Sequence, residues 1–374
     1  MKFEVLQETF SKALNASLKF ASPKVQLPVL ANILLSADKN KLLVSATNLE
    51  ISVAIQIGAK VDESGEITVP ARIITELIGN LKSGQVTIYS EKEKIEIKSE
   101  GFNSVIAGIN ASDFPKIPQK IEKKDFSVAK GELSKVLSKI LFSVSSDETR
   151  PVLTGVLAIV DSGFLTFVST DGFRLSQKKL KVSGVGESTK MIVSKNALNE
   201  IVRLYGEEDE IDFFLNKAEG QVILGTPNCV LSSRLIEGEF PDFEKILPKR
   251  SLLKATLDRD EFLRSVKLAS VFARDSANVV KLKIGKDNIE IVAESATIGS
   301  QNVLLDARVL DEENLLKKEF IVAFNYRFLE DFLNSVEGES VEVGFSDPNA
   351  PAVFKDSQDK DYLHIIMPVK LQTS

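Results

Sequence analysis

One histidine and one cysteine among 374 residues leave little material for metal or thiol chemistry. A zinc site draws on several Cys or His side chains at set spacing, and His364 has no second histidine to complete one. Its setting, "YLHIIMPV", reads as a strand. Cys229, in "GTPNCVLSS", excludes an internal disulfide framework and reads as a small buried hydrophobe at a strand entrance. No metal and no cofactor is expected. Long apolar runs are missing as well: the longest are strand-sized, far short of the roughly 18 residues that mark a membrane helix. "MKFEVLQETF" lacks the basic-then-apolar pattern of a leader, so no membrane partner is expected and a cytoplasmic location is. A basic excess is also absent. With 47 Lys and Arg against 53 Asp and Glu the formal charge is −6, which taken alone argues against a nucleic-acid binder. Net charge is an average, however, and only its distribution decides.

What the chain does contain is a repeat. "PVLANILLSADKNKLLVSATN" (28–48) lies without gaps on "PVLTGVLAIVDSGFLTFVSTD" (151–171), and a fainter third copy, "VVKLKIGKDNIEIVAES", begins at Val279. The period is about 124 residues, a third of the length. Upstream of each copy the spacing predicts a helix, over 7–21, 131–142 and 260–274. Downstream it predicts a strand and a second helix, over 70–82, 194–205 and 324–336. In the first helix Leu6, Phe10, Leu14 and Leu18 fall four apart, on one face. Segments such as "KIEIKSEGFNSVIAG" read as strands and hairpins, and "GVGESTK" (184–190), which lacks the Gly-Lys-Ser/Thr of a phosphate loop, reads as a hairpin loop. Pro-rich charged stretches, "DFPKIPQKIEKKD" and "EFPDFEKILPKR", read as linkers. The expected fold is α+β: three repeated domains, 1–122, 123–250 and 251–374, each with two helices packed on antiparallel sheets and, at that size, its own core.

The helices hold the basic residues. Five of the six stretches carry a net +1 and the last −1, against −6 for the whole chain. Lys12, Lys135 and Arg264 recur at one position of the three first helices, opposite the apolar stripe. Arg72, Lys195 and Arg327 recur near the starts of the second helices. No aromatics are interleaved with them, so contact with duplex phosphates fits better than stacking on single-stranded bases. Six helices about 8 to 10 Å apart, less about 5 Å of helix radius on each side, would close around roughly 9 Å, too narrow even for the ~12 Å major groove. Twelve helices at the same spacing leave roughly 28 Å clear. A ring around DNA therefore needs two chains.

One copy of the repeat is unlike its siblings. "VSTDGFRLS" (168–176) carries Asp171, Gly172 and Arg174, where the others read "SATNLEIS" and "VAESATIGS". In "LPVLANILL", "VPAR", "SSDETRPVLTGVL", "STDGFRLS", "EGEFPDFEKILP", "FNYRFLEDFLN" and "HIIMPVKL", in this order and over the whole length, the chain resembles the bacterial sliding clamp family, the beta subunit of the replicative DNA polymerase holoenzyme. The resemblance implies a head-to-tail homodimeric ring of six like domains, helices inside and sheets outside. Such a ring slides on duplex DNA without chemistry of its own and tethers the replicative polymerase catalytic subunit, the clamp loader, and other polymerases and repair proteins. The resemblance also implies a pocket between the second and third domains for the partners' short apolar motifs. Carried over by motif, it uses Arg150, Leu153, Thr170, Gly172, Phe173, Arg174, Leu175, Pro241, Lys245, Ile246, Asn325 and Phe328. Its last part is the run Ile365, Ile366, Met367, Pro368, Val369, Lys370 and Leu371, with Arg174 and the other arginines at the rim holding a partner's polar atoms. For DNA it implies Lys24, Arg72 and Lys195 beside Lys12, Lys135 and Arg264. Phe173 stands where the family commonly has His or Tyr, and Lys245 and Lys370 stand where Arg is usual, an ammonium in place of a planar fork. Asp147 replaces a neutral residue at a DNA-facing position, and the tail Gln372 to Ser374 runs past the usual final leucine. Two other readings compete: a three-domain peptide-binding scaffold without DNA, and a hydrolase using Asp171 and Arg174.

Overall fold

A computed structural model gives the fold, and it describes residues 1–22, 27–183, 188–204 and 209–371. Lys24, most of the 184–190 loop and the tail 372–374 lie outside the described residues. The expected helices form: α1 (Gln7–Leu18), α2 (Ala71–Asn80), α3 (Lys130–Ile140), α4 (Lys195–Leu204), α5 (Arg259–Ala273) and α6 (Tyr326–Ser335). Each third of the chain runs strand, helix, strands, helix, strands. The chain segments 114–125 and 246–252 contain no strand or helix.

Local chemistry sets the helix ends. Asp258 caps α5 by accepting from Glu261 N at 2.9 Å, and Asn325 caps α6 by accepting from Arg327 N at 3.0 Å. Pro70, with φ fixed near the helical value, stands just before α2. The apolar stripe of α1 begins one residue later than its spacing predicts. Phe10 and Leu14 are buried, but Leu6 is 63% exposed, because it ends the strand Lys2–Leu6, where the chain has not yet turned helical. The buried place goes instead to Gln7, whose Nε2 donates to the Ile78 carbonyl of α2 at 2.7 Å.

The described chain gathers into two compact units, 1–133 with 196–235 and 134–195 with 236–374, so the middle repeat contributes to both. Among the described residues all strand pairings are antiparallel. In the first unit, Cys229–Arg234 of the middle repeat pairs with Ile51–Gly58 of the first, inside an eight-stranded sheet. The five-stranded sheet of that unit ends at Phe102–Ala107. In the second unit, Arg174–Lys181 pairs with Tyr362–Ile366, Leu175 facing Ile365, inside a nine-stranded sheet. The four-stranded sheet there ends at Gly299–Asp306. Sheets thus run across the repeats rather than stopping at them. Cys229, as expected, opens a strand and is buried.

The second unit carries charge in its interior. Lys139 of α3, 4% exposed, donates to Asp359 Oδ2 at 2.7 Å and lies 3.7 Å from Asp356, whose side chain is fully buried. Lys178 donates to the other Asp359 oxygen at 2.6 Å. Burial raises the Asp359 carboxyl, but the hydrogen bonds from Lys139 and Lys178 outweigh it and hold the group below its usual range. A depressed carboxyl stabilises the fold above the unfolded value of about 3.9, and that contribution is lost as pH falls through the folded value. Melting temperatures between pH 5 and 3 should therefore drop less steeply for Asp359→Asn than for the parent, starting from a lower value at neutral pH. An equal slope would remove Asp359 from the acid response.

Candidate functional site

The turn between Phe164–Thr170 and Arg174–Lys181 is built by its own side chains. Thr170 Oγ1 donates to the Arg174 carbonyl (2.6 Å) and accepts from Gly172 N (3.0 Å). Asp171 Oδ1 accepts from the backbone N–H of Phe173 (2.9 Å) and Arg174 (3.0 Å). Gly172 sits at φ +96°, where a side chain is strained, and a Cβ there would stand 3.2 Å from the Arg150 guanidinium. Arg150 in turn donates to Asp147 at 2.8 Å and, more weakly, to the Asp171 carbonyl at 3.4 Å.

Arg174 is the centre of this group. Its side chain is 10% exposed, donates through Nε to Asp171 (3.0 Å), and reaches Asp331 of α6 (2.6 Å) and the Phe142 carbonyl (2.6 Å) through its two terminal nitrogens. The guanidinium lies over the rings of Phe328 (4.5 Å) and Phe142 (5.4 Å). Arg174 therefore frames the site instead of standing free at its rim. The reason is Asp331, 157 residues away, which no motif marks. A signal was present all the same: α6 is the one helix with a net negative charge, and Asp331 supplies part of it.

Beside the turn lies an apolar floor. Leu175 and Ile365 are buried with Leu157, Val168, Ile192 and Phe243, and Val152, Ile236, Phe240 and Leu247 pack against them. Phe243, Phe240 and Leu247 are floor residues that the motifs passed over in favour of their exposed neighbours Pro241, Lys245 and Ile246. Gly238, at φ +122°, lets that segment approach, since a Cβ would meet Val152 at 2.7 Å. Met367 N donates to the Phe173 carbonyl and Val369 N to the Ala323 carbonyl, each at 2.8 Å. Residues 150–153, 170–175, 240–247, 323–328 and 365–369 are thereby brought together. Leu153 is buried, Asn325 is committed to capping α6, and Phe173 (62%), Ile246 (43%), Val369 (36%) and Leu371 (39%) expose apolar surface. Lys245 is exposed and paired to Asp242, and Pro368 and Lys370 continue the chain past the sheet. Ile365 and Ile366, at 1% and 0% exposure, belong to the core strand, so a truncation that spares the sheet begins after Met367.

His364 occupies that strand, fully buried, its Nδ1 2.8 Å from Ser176 Oγ and its ring stacked on Phe332 at 5.3 Å. Burial first, and the nearby Arg174 second, hold it well below the usual imidazole range, so it is neutral. Among the described residues no three His, Cys, Asp or Glu side chains gather as a metal would need, and no helix is long and apolar enough to cross a membrane.

The predicted DNA-facing residues divide. Lys12, Lys135 and Arg264 are exposed on α1, α3 and α5, and none pairs with a carboxylate among the described residues. Arg72 is exposed but held by Glu76 at 2.8 Å. Lys195 differs: it is half-buried at the start of α4, where burial and then repulsion from Arg174 lower its ammonium while Asp331 pulls it back. Asp147 is spent locally on Thr149 and Arg150.

Three like repeats, each with two helices on antiparallel sheets, are the architecture of the DNA clamps. The family descriptions "DNA polymerase III beta subunit, N-terminal domain", "central domain" and "C-terminal domain" match residues 1–118, 127–242 and 244–370 in turn. The chain belongs to the DNA polymerase III beta subunit family, the beta sliding clamps. The beta sliding clamp of Staphylococcus aureus is 29% identical over 381 residues, covering 99% of each chain. The solved DNA polymerase sliding clamp of Bacillus subtilis superposes with a TM-score of 0.93 at 25% identity over 99% of both chains. The Pseudomonas aeruginosa DNA polymerase III subunit beta, at 24% identity and TM-score 0.92 over 99% of this chain and 100% of its own, speaks for the fold.

Removing a buried, paired charge strands its partners. Arg174→Ala should lower stability to chemical denaturation by about 2–4 kcal/mol, and Asp331→Asn by less, since the Asp331 side chain is 42% exposed. Equal, negligible losses would mean that the Arg174 network carries no weight.

Proposed function

We propose that two copies of this chain, each with domains 1–122, 123–250 and 251–374, close head to tail into a six-domain ring around duplex DNA. The ring tethers the replicative polymerase catalytic subunit, the clamp loader, and other polymerases and repair proteins. It does so by taking their short apolar motifs beside the Leu175–Ile365 floor, on the surface that Phe173, Ile246, Met367 and Leu371 leave accessible. The ring does no chemistry of its own and works in the cytoplasm. The observation that carries this reading is the threefold recurrence of Lys12, Lys135 and Arg264, cations without a carboxylate partner among the described residues, at one position of three like helices on an acidic chain. A cation repeated in this way, with no base-reading side chain beside it, suits phosphates of any sequence.

Two sheet edges, unpaired among the described residues, support the dimer. Phe102–Ala107 ends its sheet with Val105 61% exposed, and Gly299–Asp306 ends its own with Leu304 64% exposed, while α5, which packs on that strand, leaves Leu268 and Val271 half-exposed. Exposed apolar edges ask for a partner strand, and a second copy provides one for each. The hydrolase reading has less support: the Asp171 carboxylate is taken up by Arg174 and two backbone N–H groups, leaving no free base beside a nucleophile. The DNA-free scaffold leaves the recurring cations without a task.

The ring is tested on DNA topology. Protein loaded on a nicked circle should stay bound at salt that breaks ionic contacts and fall off once the circle is cut; retention indifferent to linearisation would sink the ring. Leu304→Asp should halve the mass in sedimentation. Met367→Ala should weaken binding of an apolar partner peptide about tenfold, consistent with losing a buried anchor, while leaving the dimer intact.

A further inference from the structure

The turn 47–51 of the first repeat copies the four side-chain-to-backbone hydrogen bonds of the turn 170–174. Thr47 Oγ1 donates to the Ile51 carbonyl (3.2 Å) and accepts from Leu49 N (3.0 Å), and Asn48 Oδ1 accepts from Glu50 N (3.0 Å) and Ile51 N (2.8 Å). Arg234 N donates to the Glu50 carbonyl at 2.8 Å, as Met367 N does to that of Phe173. The sixth residue of α4 is Glu200, as the sixth of α6 is Asp331. One position breaks the copy: Ile51 stands where Arg174 stands, so no guanidinium reaches Glu200 from the strand. A hollow of about 230 Å³ remains, with Ile51 on its wall.

Phe20 lines it too, and the rest of the wall is polar: Lys19, Arg203, Glu200 and the amides of Asn48, Asn196 and Asn199. Glu200 is already spoken for, Oε2 accepting from Lys19 at 3.2 Å and Oε1 from Arg203 at 2.7 Å. Two cations to one carboxylate leave a positive excess. Arg203 has five N–H donors and Glu200 takes one; the amides add more. Because Glu200 holds both cations against the wall, part of the ordering cost of binding has been met in advance. We infer that this hollow seats a phosphodiester group of the nucleic-acid backbone passing through the ring. The inference rests on the ring reading above and adds to it a fixed contact, distinct from the exposed Lys12, Lys135 and Arg264.

Glu200→Gln decides the matter, because it separates a built seat from net charge. A surface acting by charge alone binds duplex DNA more tightly when a carboxylate is removed; the seat binds it about threefold more weakly, because Lys19 and Arg203 lose their anchor. Titration of a short fluorescent duplex at several salt concentrations should also show the slope of log K against log salt falling by about 0.9, the value for one phosphate contact, in Lys19→Ala/Arg203→Ala. Tighter binding by Glu200→Gln, or an unchanged slope in the double variant, overturns the inference. Inorganic phosphate that shifts the side-chain amide NMR signals of Asn196 and Asn199 where duplex DNA does not would also overturn it, by assigning the hollow to the free anion. Wild-type protein that ignores the cutting of a circle refutes the ring, whereas wild-type protein that stays on the circle while all variants bind duplex normally refutes only the seat.

Discussion

Everything at the candidate pocket depends on one run of strand pairing, Arg174–Lys181 against Tyr362–Ile366. It places Leu175 beside Ile365 to make the floor, delivers the Phe173 carbonyl to Met367, and brings the base of Arg174 within reach of α6. Backbone pairing fixes register to a single residue, and a slip by one would turn every floor side chain to the opposite face. The buried cluster of Lys139, Lys178, Asp356 and Asp359 stiffens the same joint a few residues away. The site is thus set by secondary structure and held by charge, with its exposed apolar residues left over as surface.

The two joints of the chain differ at the turns that follow their sheets. At the first, the 3₁₀ turn Ala111–Asp113 is followed by Phe114, which is buried with Leu30. At the second, Phe243–Lys245 is followed by Ile246, which is 43% exposed. Phe114 at the first joint and Phe240 at the second, each ahead of a proline, both pack on their own joint's apolar cluster, so the exposed Ile246 is what the second joint has in addition. The turns differ in the same sense: Leu49 takes φ +75°, a left-handed conformation that costs a bulky residue roughly 1–3 kcal/mol, whereas Gly172 takes its place at no such cost and leaves room for Arg150.

Much of the fold was legible because it rests on local periodicity. The six helices, the hairpins and the threefold repeat follow from spacing that a single pass along the chain exposes. What lay hidden was long-range and polar. Nothing near Arg174 announces Asp331, nothing near Lys139 announces Asp359, and the repeat position that Lys195 shares with Arg72 does not tell that one is half-buried and the other exposed. Leu6 was misplaced by the reverse effect: a four-residue spacing continued into a strand, where it has no meaning. Within the candidate site Leu175, Ile365 and the exposed apolar residues could be carried over by motif, but Phe240, Phe243 and Leu247 of the floor, and the difference between a rim arginine and a framing one, needed coordinates.

Sheets that run across the repeats also bear on how the chain comes apart. Three repeats of equal length invite the picture of beads on a string, each able to fold and unfold by itself. The middle repeat shares one of its sheets with the repeat before it and another with the repeat after. Excised at its linkers, it would carry two raw edges, Cys229–Arg234 and Arg174–Lys181, each a template for the wrong neighbour. Repetition here has multiplied the fold without multiplying the independent folding units.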